Sequence, residues 1–249
     1  MSGEAGVYAH PVAGSGPVAP PLADVRAVVF DAYGTLFDVG AAVARCSDAL
    51  GPRAGQLLAL WRSKQLEYTW LRSLRGDYVD FWHVTGQSLD FAMESLGLDD
   101  LGLRARLMEL YFVLDAYPDA PAALRAVKEL GRRTAILSNG APSMLTAAVH
   151  HAALEAVLDA VISVDAIGVY KPHPDVYQLA VDRLKIPVEQ IGFVSANYWD
   201  VSGAARFGFR VVWINRNGGR RDRLPGEPVA EIATLAALPA LVGVQTGAV

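Results

Sequence analysis

Polar residues follow several apolar, strand-like runs of this sequence, at the point where each run ends. They include carboxylates, hydroxyls, amides and one lysine. Any one of them alone could cap a helix, close a turn or form a surface ion pair. Because the carboxyl ends of parallel strands meet at one edge of a sheet, their recurrence predicts a candidate active site at that edge. The residues concerned are Asp31, Thr35, Ser138, Asn139, Lys171, Ser195, Asn197 and Asp200.

The elements that must position these side chains are short strands that alternate with helices. β-Branched and aromatic residues dominate the strand-like runs, as is typical of buried strands. A Pro near the start and a Gly at the end mark the helix predicted at 118–131. Strands that alternate with helices predict an α/β fold, with a parallel sheet covered by helices on both faces. The predicted strands span 25–32, 133–139, 160–164, 190–197 and 209–215, and the later helices span 141–154, 173–184 and 198–208.

The stretch 38–116, between the first two strands, breaks this alternation. Leu, Trp, Tyr and Phe recur there at helical spacing, most clearly over 54–74 and 78–97. We expect residues 38–116 to be helical throughout and to form an inserted cap. In open α/β sheets ligands bind at the carboxyl ends of the strands, so a cap over that edge would close the site from water.

The composition describes a well-packed globular protein. Hydrophobic residues make up 52% of the 249 residues and charged residues 19%, a balance that argues against a long disordered chain. The net charge is −4, so no basic excess indicates nucleic acid or an anionic membrane as a partner. No apolar run approaches the roughly 20 residues that span a bilayer. Any anionic substrate must therefore be attracted by local cations.

The single cysteine, Cys46, excludes an intramolecular disulfide and favours a cytoplasmic location, where thiols stay reduced. The start of the chain is rich in Gly, Ala, Val and Pro. It lacks the basic residues and the unbroken apolar run of a signal peptide. Residues 1–24 are therefore predicted to form a flexible tail.

Four short motifs of the chain resemble, in type and order, the motifs of the haloacid dehalogenase superfamily. Members of that superfamily use an Asp at the end of the first strand as a covalent nucleophile. The resemblance implies a Rossmann-like core domain at 25–37 and 117–249, with an inserted helical cap domain at 38–116. The motifs are DAYGT at 31–35, LSNG at 137–140, YKP at 170–172 and SANYWD at 195–200.

Two positions depart from the magnesium-dependent majority of that superfamily. Those enzymes carry a second Asp two residues after the nucleophile, where this chain has Tyr33, and a further acid where it has Ala196. Magnesium prefers hard oxygen ligands, commonly carboxylates. The loss of two acids therefore predicts that the chain binds no metal and uses no cofactor. An alkyl halide requires neither, because halide leaves as a weakly basic anion.

Longer segments resemble the L-2-haloacid dehalogenase branch in particular. The resemblance implies that a small (S)-2-haloalkanoate and water become an (R)-2-hydroxyalkanoate and halide, and that the chain forms a homodimer. Two alternatives remain open: a phosphatase with an unusual metal site, and a non-catalytic protein that binds a small carboxylate or a protein partner. The segments are FDAYGTLFDV, LWRSKQLEYTWLRSL, SVDAIGVYKPHPDVY and FVSANYWDVSGA.

The same resemblance implies roles for individual residues. Asp31 would attack the halogen-bearing carbon and form an ester, and Thr35 would hold the second oxygen of Asp31. Lys171 would balance the carboxylates, and Asp200 would position or activate the hydrolytic water. Arg62 would receive the halide or anchor the substrate. The full predicted catalytic set is Asp31, Thr35, Arg62, Ser138, Lys171, Tyr177, Ser195, Asn197 and Asp200.

Further residues would surround the substrate. Ser138 would bind its carboxylate, and Asn139 would help to cradle the halide. Members of the branch often carry Gln directly after the cap Arg, where this chain has Ser63. We predict no catalytic role for any histidine, because none lies near a Ser or Cys nucleophile motif and no pair has the spacing of metal ligands. The predicted substrate-binding set is Ala32, Tyr33, Arg62, Leu66, Phe81, Ser138, Asn139 and Trp199, of which Tyr33, Leu66, Phe81 and Trp199 would form the apolar wall.

Overall fold

A computed structural model describes residues 21–243 of the chain. Its centre is a sheet of six strands: β1 (Ala27–Phe30), β2 (Arg133–Ser138), β3 (Ala160–Ser163), β4 (Ile191–Ser195), β5 (Arg210–Ile214) and β6 (Ala230–Ile232). The strand order is β3-β2-β1-β4-β5-β6, and every neighbouring pair is parallel. β1 therefore lies in the middle of the sheet. All four of its residues are buried, which explains its unbroken apolar sequence.

The predicted α/β fold is confirmed, and each of the five predicted strands is present. The sixth strand, β6, was not predicted. It has only three residues, of which Ile232 alone is buried. A strand this short at the edge of a sheet leaves too little apolar pattern in the sequence to be recognised.

Five α-helices lie within residues 38–116, between β1 and β2: α1 (Gly40–Ala44), α2 (Ser47–Leu50), α3 (Ala54–Arg75), α4 (Phe81–Ser95) and α5 (Leu101–Phe112). The expectation that residues 38–116 are helical throughout is wrong at the connections. Gly76 ends α3 with a φ of 70°, a left-handed conformation that suits glycine. Asp80 and Asp100 cap α4 and α5 by accepting backbone N–H groups of the first turn.

After the insertion, α6 (Ala120–Glu129) precedes β2, and the remaining α-helices follow strands of the sheet: α7 (Pro142–His151), α8 (Pro174–Leu184), α9 (Tyr198–Phe207) and α10 (Leu238–Val242). His173 caps α8, because its Nδ1 accepts the Asp175 N–H at 3.3 Å. This position is consistent with the absence of a catalytic role for His173. Within residues 21–243, no helix combines the length and the apolar character needed to cross a bilayer.

The predicted flexible tail at 1–24 falls mostly outside the described residues. Residues 21–24 differ from that prediction, because they form a turn that packs on the core. Leu22 is fully buried and its N–H donates to the carbonyl of Leu241 at 2.9 Å. The packed part of the chain therefore begins by Leu22, ahead of the predicted boundary.

Candidate active site

Asp31 follows the central strand and points its carboxylate to the carboxyl edge of the sheet. Its N–H continues the pairing with β4 by donating to the carbonyl of Val194 at 2.9 Å. The chain then turns sharply, since the N–H groups of Thr35 and Phe37 both donate to the carbonyl of Ala32. Gly34 has a φ of 88°, which residues with a Cβ rarely adopt. This turn brings Thr35 back to Asp31.

The two oxygens of the Asp31 carboxylate have different surroundings. Oδ2 accepts hydrogen bonds from Thr35 Oγ1 at 3.1 Å and Asn197 Nδ2 at 2.8 Å, and Ser195 Oγ lies 3.5 Å from it. Among the described residues, Oδ1 accepts from Lys171 Nζ alone, at 3.2 Å. Oδ1 is therefore the oxygen with a lone pair free for a substrate, and Oδ2 is held by donors.

Lys171 joins two buried carboxylates. Its side chain is fully buried, and Nζ lies 3.2 Å from Asp31 Oδ1 and 2.9 Å from Asp200 Oδ2. Burial alone would lower the pKa of Lys171, but the two carboxylates raise it above its usual value, so the side chain is an ammonium. The backbone N–H of Lys171 donates to Asn139 Oδ1 at 3.0 Å, which fixes the loop that carries the lysine.

Asp200 is placed at the start of α9 with no exposed surface. Tyr177 Oη donates to its Oδ1 at 2.8 Å, while Lys171 holds its Oδ2. Burial raises the pKa of Asp200 to about 6; the ammonium of Lys171 opposes this rise and the charge of Asp31 adds to it. A carboxylate with a pKa near neutrality is suited to act as a general base.

Two residues that were predicted to form the apolar wall, Tyr33 and Phe81, connect the helical insertion to this edge of the sheet. The Tyr33 ring lies 5.6 Å from the Phe81 ring of α4 and stacks at 5.6 Å on the Tyr111 ring of α5. Gly140 leaves room for Tyr33, because a Cβ on Gly140 would come within 2.7 Å of the ring. Arg62 on α3 is close enough that its charge partly opposes the large rise that burial causes in the pKa of Tyr33.

Three other residues that were predicted to bind substrate form no hydrogen bond with the Asp31 carboxylate. Ser138 is buried and its Oγ accepts the Gly140 N–H at 3.0 Å, so it shapes the loop after β2. Leu66 is half-buried on α3. The half-buried Trp199 meets the edge of Trp70, with ring centroids 5.6 Å apart. The roles in substrate binding predicted for Ser138, Leu66 and Trp199 stay predictions.

One buried polar residue beside Arg62, Gln65, was not predicted from the sequence. Gln65 accepts from Arg62 Nη1 at 2.6 Å and from Tyr111 Oη at 3.2 Å. Ser63, which stands where members of the branch often carry Gln, is exposed. The missed signal was periodicity, because Trp61, Gln65 and Thr69 recur every four residues on the buried face of α3.

A further residue that was not predicted, Arg216, lies two residues after the end of β5 and supports the turn after Asp31. Its Nη2 donates to the carbonyl of Thr35 at 3.0 Å. Its guanidinium is held by a bidentate ion pair with Asp119. Nothing in the motif pattern indicated this contact, since Arg216 and Asp119 are far apart in the sequence.

The residues at this edge do not fit a magnesium site. Asn197 Nδ2 donates both to Asp31 Oδ2 and to the Tyr33 carbonyl, and the ammonium of Lys171 lies at Asp31 Oδ1. These donors repel a cation from the oxygens that it would need. The side chains of Tyr33 and Ala196 supply no carboxylate in their place. No cluster of three or more His, Cys, Asp or Glu side chains in the described part of the chain is arranged to hold a metal ion.

Known proteins share this arrangement of sequence and fold. The family model described as haloacid dehalogenase-like hydrolase matches residues 25–208. The chain is 47% identical over 219 residues to (S)-2-haloacid dehalogenase 1 of Pseudomonas sp. (strain CBS-3), which covers 88% of this chain and 96% of that protein. It is 49% identical over 195 residues to (S)-2-haloacid dehalogenase 4A of Burkholderia cepacia, covering 78% and 84%.

A solved structure gives the same result. The L-2-haloacid dehalogenase from Xanthobacter autotrophicus with chloropropionic acid covalently bound superposes with a TM-score of 0.82 at 40% identity, over 88% of this chain and 98% of that chain. The family model covers well over half of the chain, and the alignments cover 96% and 84% of the two relatives. The chain therefore belongs to the haloacid dehalogenase-like hydrolases, within the L-2-haloacid dehalogenase branch.

Proposed function

We propose that the chain hydrolyses (S)-2-haloalkanoates to (R)-2-hydroxyalkanoates and halide, through an ester on Asp31. The observation that carries this proposal is the unequal surroundings of the two Asp31 oxygens. Within residues 21–243, several donors bond to Oδ2, whereas Lys171 alone bonds to Oδ1. Relatives that are named (S)-2-haloacid dehalogenases support it, as does the related structure with chloropropionic acid covalently bound.

In the first step, Asp31 Oδ1 attacks the halogen-bearing carbon from the side opposite the halogen. A carbon–oxygen bond forms, and the electron pair of the carbon–halogen bond leaves with the halide. Attack from the opposite side inverts the carbon, which converts the (S) substrate into an (R) product. Arg62 receives the halide or the substrate carboxylate, because a fixed cation in a site screened from water stabilises a developing anion.

In the second step, water attacks the carboxyl carbon of the Asp31 ester and gives a proton to Asp200. Negative charge develops on Oδ2, where Thr35, Asn197 and Ser195 supply donors. Oδ1 then departs with the substrate carbon. Lys171, 3.2 Å from Oδ1, gives this oxygen a proton and recovers one from Asp200 at 2.9 Å. The water oxygen remains in Asp31 as part of a carboxylic acid, which releases the second proton of the water to solvent and becomes a carboxylate again.

The helical insertion is the part of the chain that closes this site. We propose that residues 38–116 act as a cap domain on a core domain formed by 25–37 and 117–249. The contacts of Tyr33 with Phe81 and Tyr111 support this division, since they join the turn after β1 to α4 and α5. A closed, partly dry site strengthens the attraction between Arg62 and an anionic substrate.

The chain is also proposed to be a cytoplasmic homodimer. Leu71 and Leu74 on α3 and Phe91 on α4 are exposed apolar side chains of the cap, and Leu74 is 84% exposed. The only cysteine, Cys46, is a buried free thiol, which suits a reducing compartment. Light scattering during size-exclusion chromatography measures the mass of the assembly, and a monomer at micromolar concentration would contradict the dimer.

Halide release tests the proposed function directly. The protein is assayed with (S)-2-chloropropionate, its (R) enantiomer and p-nitrophenyl phosphate, each with and without EDTA. We expect chloride from the (S) substrate alone, at the same rate in EDTA. Phosphate release that requires Mg²⁺ would favour the phosphatase alternative. Binding of the carboxylate without turnover would favour the non-catalytic one.

Arg62→Ala is expected to lower kcat/KM for (S)-2-chloropropionate by roughly 10²-fold or more, because the variant loses the cation that meets the anion. The fold should persist, since Arg62 is only half-buried. Arg72→Ala is a matched control on the same helix, where Arg72 contacts Asp77 and Gln87 away from Asp31. Equal activity of the two folded variants in steady-state assays would remove Arg62 from the mechanism.

A further inference from the structure

We propose that Gln65 is a positioning residue for Arg62, which it orients while leaving the guanidinium charge uncompensated for the anion. The inference rests on the proposed function. Gln65 lies on α3, three residues after Arg62, and only 1% of its surface is exposed. Its Oε1 accepts from Arg62 Nη1 at 2.6 Å and from Tyr111 Oη at 3.2 Å.

A chain of hydrogen bonds sets the direction in which the Gln65 amide points. Thr85 gives its only hydroxyl proton to the carbonyl of Phe81, at 2.6 Å. That carbonyl can only accept, so the Thr85 oxygen faces Gln65 as an acceptor and receives Nε2 at 2.7 Å. The opposite end of the amide, Oε1, must then face Arg62. A rotation of the amide by 180° would place the Nε2 donors against the donors of Arg62. It would also place the Oε1 acceptor against the Thr85 oxygen, which is itself an acceptor there.

The same network connects Arg62 to the nucleophile loop. Tyr111 donates to the same oxygen of Gln65, and its ring stacks on Tyr33 at an interplanar angle of 21°. Tyr33 lies two residues after Asp31, and the charges of both Arg62 and Asp31 affect its pKa. Gln65 therefore holds the cation on the side of the cap that faces the nucleophile.

The neutrality of Gln65 matters as much as its geometry. Three other arginines of the cap, Arg45, Arg75 and Arg104, form ion pairs with carboxylates. Within residues 21–243, Arg62 forms no ion pair, and the side chains that its guanidinium meets, Gln65 and Tyr111, are neutral. An amide can orient a guanidinium without cancelling its charge, whereas a carboxylate does both. The positive charge of Arg62 is thereby kept for an anionic substrate or a departing halide.

The test compares leaving groups. Gln65→Met keeps the side-chain length but loses the hydrogen bonds, so Arg62 is no longer held. We expect kcat/KM to fall by roughly 10-fold to 10²-fold with (S)-2-chloropropionate. The fall should be smaller with (S)-2-bromopropionate, because bromide leaves with less assistance. A purely structural role for Gln65 would lower both values by the same factor.

Further variants separate orientation from charge. Gln65→Glu still holds Arg62 but neutralises it, so we expect a raised KM with both substrates and, as in Gln65→Met, a larger fall in kcat/KM with the chloride than with the bromide substrate. Thr85→Val should change the bromide-to-chloride ratio in the same direction as Gln65→Met, which keeps the test available if Gln65→Met does not fold. In an Arg62→Ala background, Gln65→Met should have no further effect on that ratio.

The matched control is Gln87→Met. Gln87 accepts from Arg72 Nη2 at 3.0 Å on the exposed side of the cap, so the same chemistry is removed away from Asp31. We expect wild-type kinetics from this variant. An unchanged bromide-to-chloride ratio in folded Gln65→Met and Thr85→Val, or full activity in Gln65→Glu, would overturn the inference. Inactivity of the wild-type protein with both substrates would instead reject the proposed function.

Discussion

Asp31→Asn is expected to reduce halide release by roughly 10⁴-fold or more, because an amide cannot form the ester on which both steps depend. The fold should survive the change. Asp31 and Asp200 share the single ammonium of Lys171, so the variant leaves one buried ion pair with no excess charge. Halide release and a thermal melt measure the two effects separately. Substantial turnover in a homogeneous Asp31→Asn preparation would contradict nucleophilic catalysis by Asp31.

The route of oxygen distinguishes the two roles that Asp31 could have. In a single turnover of excess wild-type enzyme in ¹⁸O-water, we expect the label in Asp31 and a largely unlabelled first hydroxy acid. This follows because the product oxygen comes from Oδ1 and water then restores the carboxylate. If Asp31 were only a general base, the label would appear in the product at once. Mass spectrometry of the product and of the peptide containing Asp31 measures both.

Asp200→Asn is expected to slow the second step and leave the first step intact. Asp31 and Lys171 remain paired in this variant, so the ester should still form. We expect about one halide per site in a burst, and then hydrolysis slower by roughly 10²-fold to 10⁴-fold, since the base that accepts the proton of water is lost. Mass spectrometry should find the alkylated Asp31 peptide. Asp31→Asn, which has no nucleophile, is the control and should show no burst.

The pH dependence of the second step tests the same assignment. Burial and the charge of Asp31 hold the pKa of Asp200 at about 6 in the free protein. The base is active when deprotonated, so hydrolysis of the ester should slow as the pH falls through the pKa of Asp200. In the ester Asp31 carries no charge, and one cause of the raised pKa disappears. We therefore expect the acid limb of single-turnover ester hydrolysis below pH 6, and a limb clearly above pH 6 would reject Asp200 as the base.

Much of the candidate site could be predicted from the sequence because its residues follow strands. Asp31, Ser138 and Ser195 come at the ends of the apolar runs that form β1, β2 and β4. Strands that alternate with helices must be parallel, and parallel strands end at the same edge. The convergence of these residues therefore followed from the pattern alone. The sequence alone also shows that Tyr33 and Ala196 replace the two acids of the magnesium-dependent enzymes.

The boundaries and the weak elements could not be predicted so well. β6 has only three residues and one buried position, so its pattern carries little information. The breaks inside 38–116 depend on single residues, such as Gly76, and an amphipathic pattern continues across them. Leu22 packs because the C-terminal helix α10 meets it, a contact between the two ends of the described chain.

Only the tertiary structure decided how charge and direction are distributed within the site. The sequence determined that Asp31, Lys171 and Asp200 share an edge, but the placement of one buried ammonium between the two carboxylates depends on the folded distances. Likewise, helical spacing puts Gln65 on the buried face of α3, while its partner Thr85 comes from another helix. Local pattern fixes which face a residue occupies, because it depends on neighbours in the chain. Hydrogen-bond direction and buried charge depend on atoms that only packing brings together.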